Sequence, residues 1–407
     1  MRYCDNNRMA SSIHGLNKRN LIFLVIAVII ASAILHGRNL PVKPIAILPP
    51  RTITYTVSSG DAVTIFFGGD TMLGDAAMSL ISKKGYSEPL SNVSYITSSA
   101  DVAIVNLEAP VTTRGKPISA EKARLFRQHP YALTALANAG IDIFMLANNH
   151  ILDYGPEGLM DTLKEIEQHK LAGSGAGLKE QEARRGIVMQ FDFTEPHLSS
   201  LKVGLLSYME MYKDYTEKYR FFSGPNSPGV AALTEDSLRQ DIKSMRPLVD
   251  VLIVSPHWGD DYKPVRQLQS YFGRLAIDLG ADAVIGHHSH SHQIVEIYKG
   301  RPILYSIGNF VFGSKSSMQY EAAGGEKRRF CCGMPVTVNI DVMRRAIKTV
   351  ELIPVLTNNY VVRFIPRRPD TGEAHAVLEQ LRRDSNINNR NFEVIHAADG
   401  PRGRIAF

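Results

Sequence analysis

Cysteine is scarce in this sequence of 407 residues, which contains only Cys4, Cys331 and Cys332. Two of the three are adjacent, and adjacent residues rarely form a disulfide because the geometry of the bond is too demanding. The CxxC spacing of a zinc or redox motif is absent as well. A disulfide framework is therefore excluded, and the cellular compartment has to be inferred from the N-terminus.

A strong excess of one charge is also absent. The formal net charge is +6, and about half of it lies in residues 1–20, where four basic residues stand against Asp5. No basic stripe is interleaved with stacking aromatic residues, so nucleic acid is not an expected partner. Basic clusters at residues 327–329 and 344–348 could bind a polyanion, although solvated surface charge is the simpler interpretation.

Only one long hydrophobic run occurs, at residues 21–35, directly after Lys18, Arg19 and Asn20. As a helix it would extend about 22 Å, less than the roughly 30 Å of a bilayer's hydrocarbon core unless flanking side chains lengthen the span. The run predicts a membrane anchor or the core of a signal peptide, and its lack of a polar stripe disfavours a buried soluble helix. Residues 31–33 (ASA) resemble a cleavage site, whereas the long polar leader favours an uncleaved anchor.

These features divide the N-terminal part of the chain. We predict a cytoplasmic leader at residues 1–20, a transmembrane anchor or signal segment at 21–37, and a linker at 38–61 that is stiffened by four prolines. The rest of the chain is then expected outside the cytoplasm, as a single-pass protein of the cytoplasmic membrane. It would be secreted if the segment is cleaved.

From residue 62 onward, short β-branched apolar runs alternate with segments of helical spacing. The predicted strands are AVTIFF, DVAIVN, IDIFMLA, KVGLLSY, VDVLIVS, ADAVIG and RPILYS. The predicted helices are PYALTALANAG, GPEGLMDTLKEIEQHK, TEDSLRQDIKSM and QLQSYFGRLAIDLG. This alternation predicts a largely parallel, layered α/β domain over residues 62–360.

Three further segments do not follow this rhythm. Residues 210–232 and 313–334 carry no clear secondary-structure signal, and we expect insertions near the mouth of a site or mobile covers there. Residues 361–407 are predicted to be a C-terminal extension with one helix (AHAVLEQLRR) and a polar, partly disordered tail.

Polar side chains that can bind divalent metal ions follow five of the predicted strands. Ligands of α/β sheets bind outside the carboxyl ends of the strands, so we expect these residues to meet at one edge of one sheet. On extended chain, His288 and His290 would face that site and His287 would face away. The residues in question are Asp70, Glu108, Asn149, His150, His257, His288 and His290.

Carboxylate, amide and imidazole side chains are typical ligands of hard or borderline divalent ions. Two such ions about 3.5 to 4 Å apart could activate a water and bind a phosphoryl-like oxyanion. Any one of these residues alone would more simply be a helix cap, a surface charge or a hydrogen-bonded histidine. Their repeated position after strands favours a metal site, although the identity of the ion (Mn, Fe, Zn or Ca) stays open.

Six sequence blocks resemble, in order, the signature blocks of CapA-like poly-γ-glutamate capsule biosynthesis proteins (the PGA_cap domain). They are GGDTMLGD, NLEAPVT, LANNHILDYGPEGL, SPHWGDDY, GADAVIGHHSHSHQ and YSIGNFVF, and they span about 250 residues. That family is in turn similar to the calcineurin-like metallophosphoesterases. The resemblance implies a four-layer α/β/β/α metallophosphoesterase-like sandwich, preceded here by the N-terminal apolar membrane segment.

The resemblance also implies roles for single residues. Asp70, Glu108, Asn149, His257, His288 and His290 would be metal ligands, and His150 would be the catalytic group that protonates the leaving group or steadies the transition state. Three departures from the pattern matter. Met72 stands where a second histidine ligand is expected, and Glu108 lies in NLE where the pattern has G-D-x-x-D. The final histidines read HHSH where the pattern has G-H-x-H, which makes their register uncertain by one residue.

The sequence is compatible with three functions. The first is an extracytoplasmic, membrane-anchored, metal-dependent hydrolase acting on an anionic capsule polymer, its precursor or a phosphorylated intermediate. The second is a polymer-binding or export subunit without catalysis that works with other capsule synthase subunits, and the Met72 departure favours it. The third, a secreted phosphoesterase or nucleotidase, rests on fold alone.

Overall fold

The computed structural model describes residues 47–407, apart from residues 59, 316, 320–331 and 389–390. The predicted leader, apolar segment and first part of the linker therefore lie outside the described residues, as do Cys331 and the basic cluster at 327–329. Within the described residues, no helix has both the length and the apolar character needed to cross a membrane.

Strands make up much of the described chain, and most are short. In chain order they are β1 (Arg51–Val57), β2 (Ala62–Met72), β3 (Val102–Leu107), β4 (Ile143–Met145), β5 (Ala172–Ser174), β6 (Ala176–Gly177), β7 (Ile187–Phe193), β8 (Leu201–Glu210), β9 (Gly229–Val230), β10 (Ala232–Leu233), β11 (Val251–His257), β12 (Ala283–Ile285), β13 (Val295–Tyr298), β14 (Arg301–Leu304), β15 (Asn309–Phe312), β16 (Cys332–Gly333), β17 (Val336–Asp341), β18 (Ala346–Leu352), β19 (Val355–Leu356), β20 (Phe392–Ala397) and β21 (Gly400–Ala406).

The helices lie mainly between strands. They are α1 (Met78–Lys84), α2 (Ser94–Thr97), α3 (Pro130–Asn138), α4 (Gly155–Gln168), α5 (Glu180–Ala183), α6 (Lys213–Glu217), α7 (Glu235–Met245), α8 (Gln267–Asp278), α9 (Asn359–Val362) and α10 (Thr371–Asp384). Local sequence explains several of their ends. The Thr234 side chain caps α7 by accepting from the Ser237 backbone N–H, and the Asp370 side chain caps α10 in the same way through Glu373.

Two large sheets contain most of these strands. The first sheet has the order β1-β7-β8-β11-β12-β14-β13, with β10 beside β8, and the second has the order β20-β21-β18-β17-β2-β3-β4-β5, with β15 beside β2. The neighbours β8, β11, β12 and β14 are parallel, and so are β2, β3, β4 and β5. Each sheet thus has a parallel half whose strands end at a common edge.

Apolar side chains of both sheets pack into one shared core. Ile65 and Ile104 of the second sheet belong to the same buried cluster as Leu205 and Ile253 of the first sheet. A second cluster joins the second sheet to α3 and α4, and a third joins the first sheet to α7 and α8. Helices therefore cover the outer faces while the inner faces of the sheets meet, as expected for strands that are buried on both sides.

The seven predicted strands and four predicted helices of residues 62–360 are confirmed, with ends that differ by up to five residues. The prediction of a largely parallel domain holds for the two halves that carry the polar residues. Elsewhere in residues 62–360 it is wrong, because β17 and β18 join the second sheet, and β7 and β13 the first, by antiparallel pairing.

The predicted linker and the C-terminal extension are more ordered than expected. Residues 51–57 of the linker form β1, which pairs in parallel with β7 at the edge of the first sheet. The predicted C-terminal helix is confirmed as α10, but the tail after it forms β20 and β21 instead of a disordered segment. Arg402 and Arg404 of β21 pair with Glu351 of β18, which explains how such a polar sequence becomes a strand.

Candidate metal centre

Asp70 is held near the end of β2 by a strand irregularity that needs glycine. Gly69 has φ +110°, and a Cβ atom there would lie 2.2 Å from the carbonyl oxygen of Gly308. The Asp70 N–H donates to that same carbonyl at 3.0 Å. This close approach bends the strand and fixes the fully buried Asp70 carboxylate at the sheet edge.

An amide network connects the next strand to Asp70. Glu108 follows β3 directly, and Asn106 at the end of that strand donates from Nδ2 to Asp70 Oδ1 at 2.8 Å and to Glu108 Oε2 at 3.3 Å. Asn148 Nδ2 in turn donates to Asn106 Oδ1 at 3.0 Å. Two buried carboxylates are thus oriented by one asparagine, which is itself held by another.

The segment after β4 presents Asn149 and His150 on a tight turn. Asn148 Oδ1 accepts from the backbone N–H groups of His150 and Ile151 at 3.1 and 2.9 Å, so this side chain caps the turn. The turn points the Asn149 amide across to the other sheet, where its Oδ1 lies 3.0 Å from His257 Nε2.

The first sheet contributes the histidines. His257 is the last residue of β11, and residues 287–290 follow β12 on a turn in which His288 and His290 have φ values of +96° and +55°. Because this chain is not extended, our expectation that His287 faces away is wrong. His287 Nδ1 lies 3.6 Å from Asp70 Oδ1, so all three histidines of the turn face the carboxylates.

The predicted ligands form two groups that share Glu108. One group is Glu108, His257 and His288, and the other is Asp70, Glu108 and His290; in each group the potential ligand atoms lie within 4.8 Å of one another. Glu108 Oε1 is 3.8 Å from His257 Nε2 and 3.7 Å from His290 Nε2. His290 Nδ1 is 3.5 Å from Asp70 Oδ2. The structure therefore brings all six predicted ligands together.

The expectation of one edge of one sheet is wrong in one respect. Asp70 near the end of β2, and Glu108 and Asn149 after β3 and β4, belong to the second sheet, whereas His257 at the end of β11 and the 287–290 turn after β12 belong to the first. The carboxyl ends of both parallel halves meet because the two sheets face each other. The site consequently lies where the two sheets meet, with carboxylates on one side and imidazoles on the other.

Burial sets the protonation of these groups. Burial, followed by the charge of Asp70, raises the pKa of Glu108 well above its usual range. Burial alone would raise the pKa of Asp70 too, but the facing His287 and His290 rings bring it below its usual value. Burial and the neighbouring histidines hold the pKa of His257 well below its ordinary value, and burial lowers that of His288 to about 4. Neutral imidazoles at pH 7 have the lone pairs that a metal ion requires.

Several buried polar atoms here have no hydrogen-bond partner in the described part of the chain. They are Glu108 Oε1, His288 Nδ1 and both ring nitrogens of His287. Such atoms are costly to bury unless something satisfies them. Glu108 Oε1 is also the atom that both ligand groups share. The residues present therefore fit divalent metal ions.

His150 belongs to a separate buried trio beside the metal ligands. Its Nδ1 lies 2.6 Å from Asp153 Oδ2, and the Asp153 carboxylate also contacts the ammonium of Lys122. The Nδ1–H donates to this carboxylate, so Nε2 is the ring nitrogen left for a ligand in the cleft. Burial and the charge of Lys122 lower the pKa of His150 to about 4.

The segment at 210–232 lies at the mouth of the site, as predicted. A cleft of about 570 Å³ is lined by His150, His288 and His290 on one side and by Tyr212 and Tyr215 of this segment on the other. The Tyr212 ring is 5.6 Å from the His288 ring, and its hydroxyl donates to the Gly259 carbonyl at 2.7 Å. The other predicted cover, residues 313–334, lies largely outside the described residues.

Sequence reasoning missed four residues that shape this site. Asn106 lies at the end of a predicted strand, so its position could have identified it as a candidate. Asp153 stands one helical turn after His150, and this spacing could have identified it as a partner of that histidine. Lys122 lies in a loop outside the six sequence blocks. Asp261 stands inside the block SPHWGDDY, and its Oδ1 reaches within 3.5 Å of His288 Nε2.

Comparison with known proteins agrees with this arrangement. The sequence profile of the family described as "Bacterial capsule synthesis protein PGA_cap" matches residues 64–314, which include every predicted ligand. The chain is 30% identical over 264 residues to the PGA biosynthesis protein CapA of Bacillus subtilis, covering 65% of this chain and 66% of that protein. It is 28% identical over 300 residues to the capsule biosynthesis protein CapA of Bacillus anthracis, covering 72% and 67%.

A probable polyglutamine synthesis accessory protein of Mycobacterium tuberculosis is 32% identical over 239 residues, covering 56% of this chain and 59% of that protein. The chain thus spans about two thirds or less of the length of these relatives. The family match covers more than half of the chain and contains both parallel halves with all the residues that converge at their edge. On this evidence the chain belongs to the PGA_cap family of bacterial capsule synthesis proteins.

Proposed function

We propose that this protein is a membrane-tethered, extracytoplasmic accessory protein of poly-γ-glutamate capsule synthesis with a dinuclear metal centre and hydrolase-like chemistry. The observation that carries the proposal is the position of Glu108, whose buried carboxylate is common to two groups of potential ligands. A shared carboxylate is what holds two divalent ions at the short separation that hydrolytic two-metal sites need.

The capsule assignment is supported by the relatives. Two of them are named for capsule or PGA biosynthesis and a third for polyglutamine synthesis as an accessory protein. We infer that this chain acts on the same kind of acidic polymer, on its precursor or on a phosphorylated intermediate, together with other synthase subunits. The N-terminal apolar run of residues 21–35 supports attachment to the membrane, with the globular part outside the cytoplasm.

The chain offers two unequal sets of ligands. Glu108, Asn149, His257 and His288 would hold one ion, and Asp70, Glu108 and His290 would hold the other. We infer a fold of the metallophosphoesterase type from the residue order and the two-sheet arrangement. Bound divalent ions supply Lewis acidity and a water of lowered pKa. The protein's part is to fix the ligands and to exclude bulk water with Tyr212 and Tyr215 at the mouth of the cleft.

His150 is proposed as the proton carrier. Asp153 fixes the ring and its tautomer through Nδ1, so Nε2 is the nitrogen left to exchange a proton with a substrate. Since burial keeps the ring neutral at pH 7, Nε2 has to accept a proton before it can donate one to a leaving group. The ring is held against Phe126 at a centroid distance of 4.3 Å, which limits its rotation.

An alternative is a polymer-binding subunit without catalysis. Met72 supports it, because this fully buried thioether lies among Ala109, Phe126 and Phe312 where the resemblance expects a histidine ligand. In that case metal ions at the same ligands would bind the carboxylates of the polymer and His150 would have no chemical task.

Purified full-length variants distinguish the two proposals. We expect Asp70→Ala and His257→Ala to lose metal and activity together, measured by elemental analysis and by assays on phosphoesters and poly-γ-glutamate. His150→Ala should keep its metal but lose roughly 10² to 10⁴ in turnover, the usual contribution of proton transfer. His197→Ala, whose side chain is exposed and remote in sequence from the ligands, is the control. Absence of turnover, a silent His150→Ala and loss of polymer association in Asp70→Ala would favour the binding subunit.

A further inference from the structure

We propose that Lys122 is a positioning residue that fixes the metal ligand Asn149 and the proton carrier His150 at the same time, an inference that rests on the proposed function. Its side chain is only 4% exposed, although it comes from a loop between β3 and α3. A buried ammonium is costly unless several partners compensate it, so its partners indicate its role.

The first partner is the turn that carries Asn149. Lys122 Nζ donates to the backbone carbonyl of Asn149 at 2.8 Å. The side chain of the same residue extends to 3.0 Å from His257 Nε2. The lysine therefore holds the main chain from which this amide ligand projects toward the ion shared with His257.

The second partner is the carboxylate behind His150. Asp153 contacts Lys122 through Oδ1, while its Oδ2 lies 2.6 Å from His150 Nδ1 and accepts from the Phe126 N–H at 2.6 Å. Asp153 is fully buried, so removal of the lysine would leave its charge balanced only by the hydrogen bonds from His150 and Phe126. One ammonium consequently contacts the main chain of the ligand and the carboxylate behind the proton carrier, and its Nζ lies 3.2 Å from His150 Nδ1 itself.

The same loop is fastened to the far side of the cleft. Lys122 Nζ lies 5.4 Å from the Tyr215 ring and 5.3 Å from the Phe221 ring, both in the segment that lines the mouth. Two residues on, Arg124 Nη1 pairs with Asp261 Oδ2 at 2.6 Å. Loop, turn and covering segment therefore meet at Lys122, which suits a residue that sets the geometry of the site.

Metal affinity tests this role independently of catalysis. We expect Lys122→Met to weaken Mn²⁺ binding to the full-length protein by about 10- to 100-fold, the usual effect of removing a partner that orients a ligand. Binding is measured by titration calorimetry and by electron paramagnetic resonance of free Mn²⁺. Lys213→Met is the matched control, because Lys213 lines the same cleft but is exposed and makes none of these contacts.

A second variant provides the test if Lys122→Met folds poorly. Lys122→Gln keeps a donor for the Asn149 carbonyl and loses the charge facing Asp153, so we expect an intermediate affinity. Unchanged Mn²⁺ affinity in the folded variants, even with a lowered melting temperature, would mean that Lys122 is only structural and would overturn the inference. If the wild type binds Mn²⁺ but hydrolyses nothing, the catalytic proposal fails while a drop in affinity still supports Lys122. A wild type that binds no Mn²⁺ refutes both.

Discussion

Replacing Glu108 with glutamine is the most direct test of a carboxylate shared by two ions. Glu108 is fully buried beside Asp70, and this environment raises its pKa well above the usual range. Glutamine keeps the shape and removes the charge. We therefore expect the metal-free variant to be more stable than the metal-free wild type at neutral pH, and the order to reverse when metal is present.

The pH dependence of that difference has a defined sign. A carboxyl group whose pKa is raised by folding stabilises the folded state at low pH, and this contribution is lost as the pH rises through the folded pKa. The stability advantage of metal-free Glu108→Gln should accordingly be small near the unfolded pKa of about 4.3 and should grow toward neutral pH. Asp70 has the opposite shift, so its own contribution is lost as the pH falls.

The metal-dependent part can be estimated from linkage. At a Mn²⁺ concentration of about 100 times the dissociation constant, binding stabilises the wild type by about 2.7 kcal/mol. If losing the shared ligand weakens binding about 100-fold, the same concentration only equals the variant's dissociation constant, and the gain falls to about 0.4 kcal/mol.

Thermal unfolding with and without chelator, at about pH 5 and pH 7.5, measures both effects. Glu217→Gln, an exposed glutamate of α6 at the cleft's covering segment, serves as the control and should follow the wild type. A metal-free Glu108→Gln that is less stable than the wild type, together with equal stabilisation of both proteins by Mn²⁺, would refute the shared carboxylate.

Three further outcomes follow from the sequence and the structure. Met72→His should add a ligand to the group of Asp70 and His290 and convert a weak second Mn²⁺ equivalent into a tight one, measured by calorimetric stoichiometry. Arg184→Met should lower the unfolding free energy by about 3 to 5 kcal/mol in denaturant titrations, because it leaves the buried Asp241 without its bidentate partner, while Mn²⁺ affinity stays at the wild-type value. A reporter enzyme that works only outside the cytoplasm should be active when it is fused after residue 60. Activity of a reporter that works only in the cytoplasm, fused at the same place, would contradict the predicted topology.

The sequence was sufficient to predict the elements that position the site. Strands β2, β3, β8, β11 and β12 are buried on both faces, so they appear as continuous apolar runs that are easy to recognise. A polar residue directly after such a run lies at the carboxyl edge of a sheet. That reasoning identified the ligand types and their convergence without any knowledge of the strand order.

Strand order itself could not be predicted, and one error came from this. Apolar runs do not show which sheet a strand joins, so the ligands were expected on one sheet although they come from two. The orientation of His287 depended on the backbone of His288, whose φ of +96° cannot be read from the letters HHSH. The strands of the C-terminal tail were missed because their charged residues are paired with Glu351, about 50 residues earlier in the chain.

The two-sheet origin of the ligands also bears on what a metal-removal experiment measures. If the ions held the sheets together, chelation would unfold the protein and say little about the site. The shared core argues against this, because apolar side chains of both sheets are buried against one another without any contribution from the ligands. Examples are Ile65, Ile104, Leu205 and Ile253. Apolar burial of this kind contributes about 25 cal/mol per Å² and does not depend on metal. We therefore expect the metal-free protein to remain folded, so that differences in affinity among the ligand variants report on the site and not on the fold.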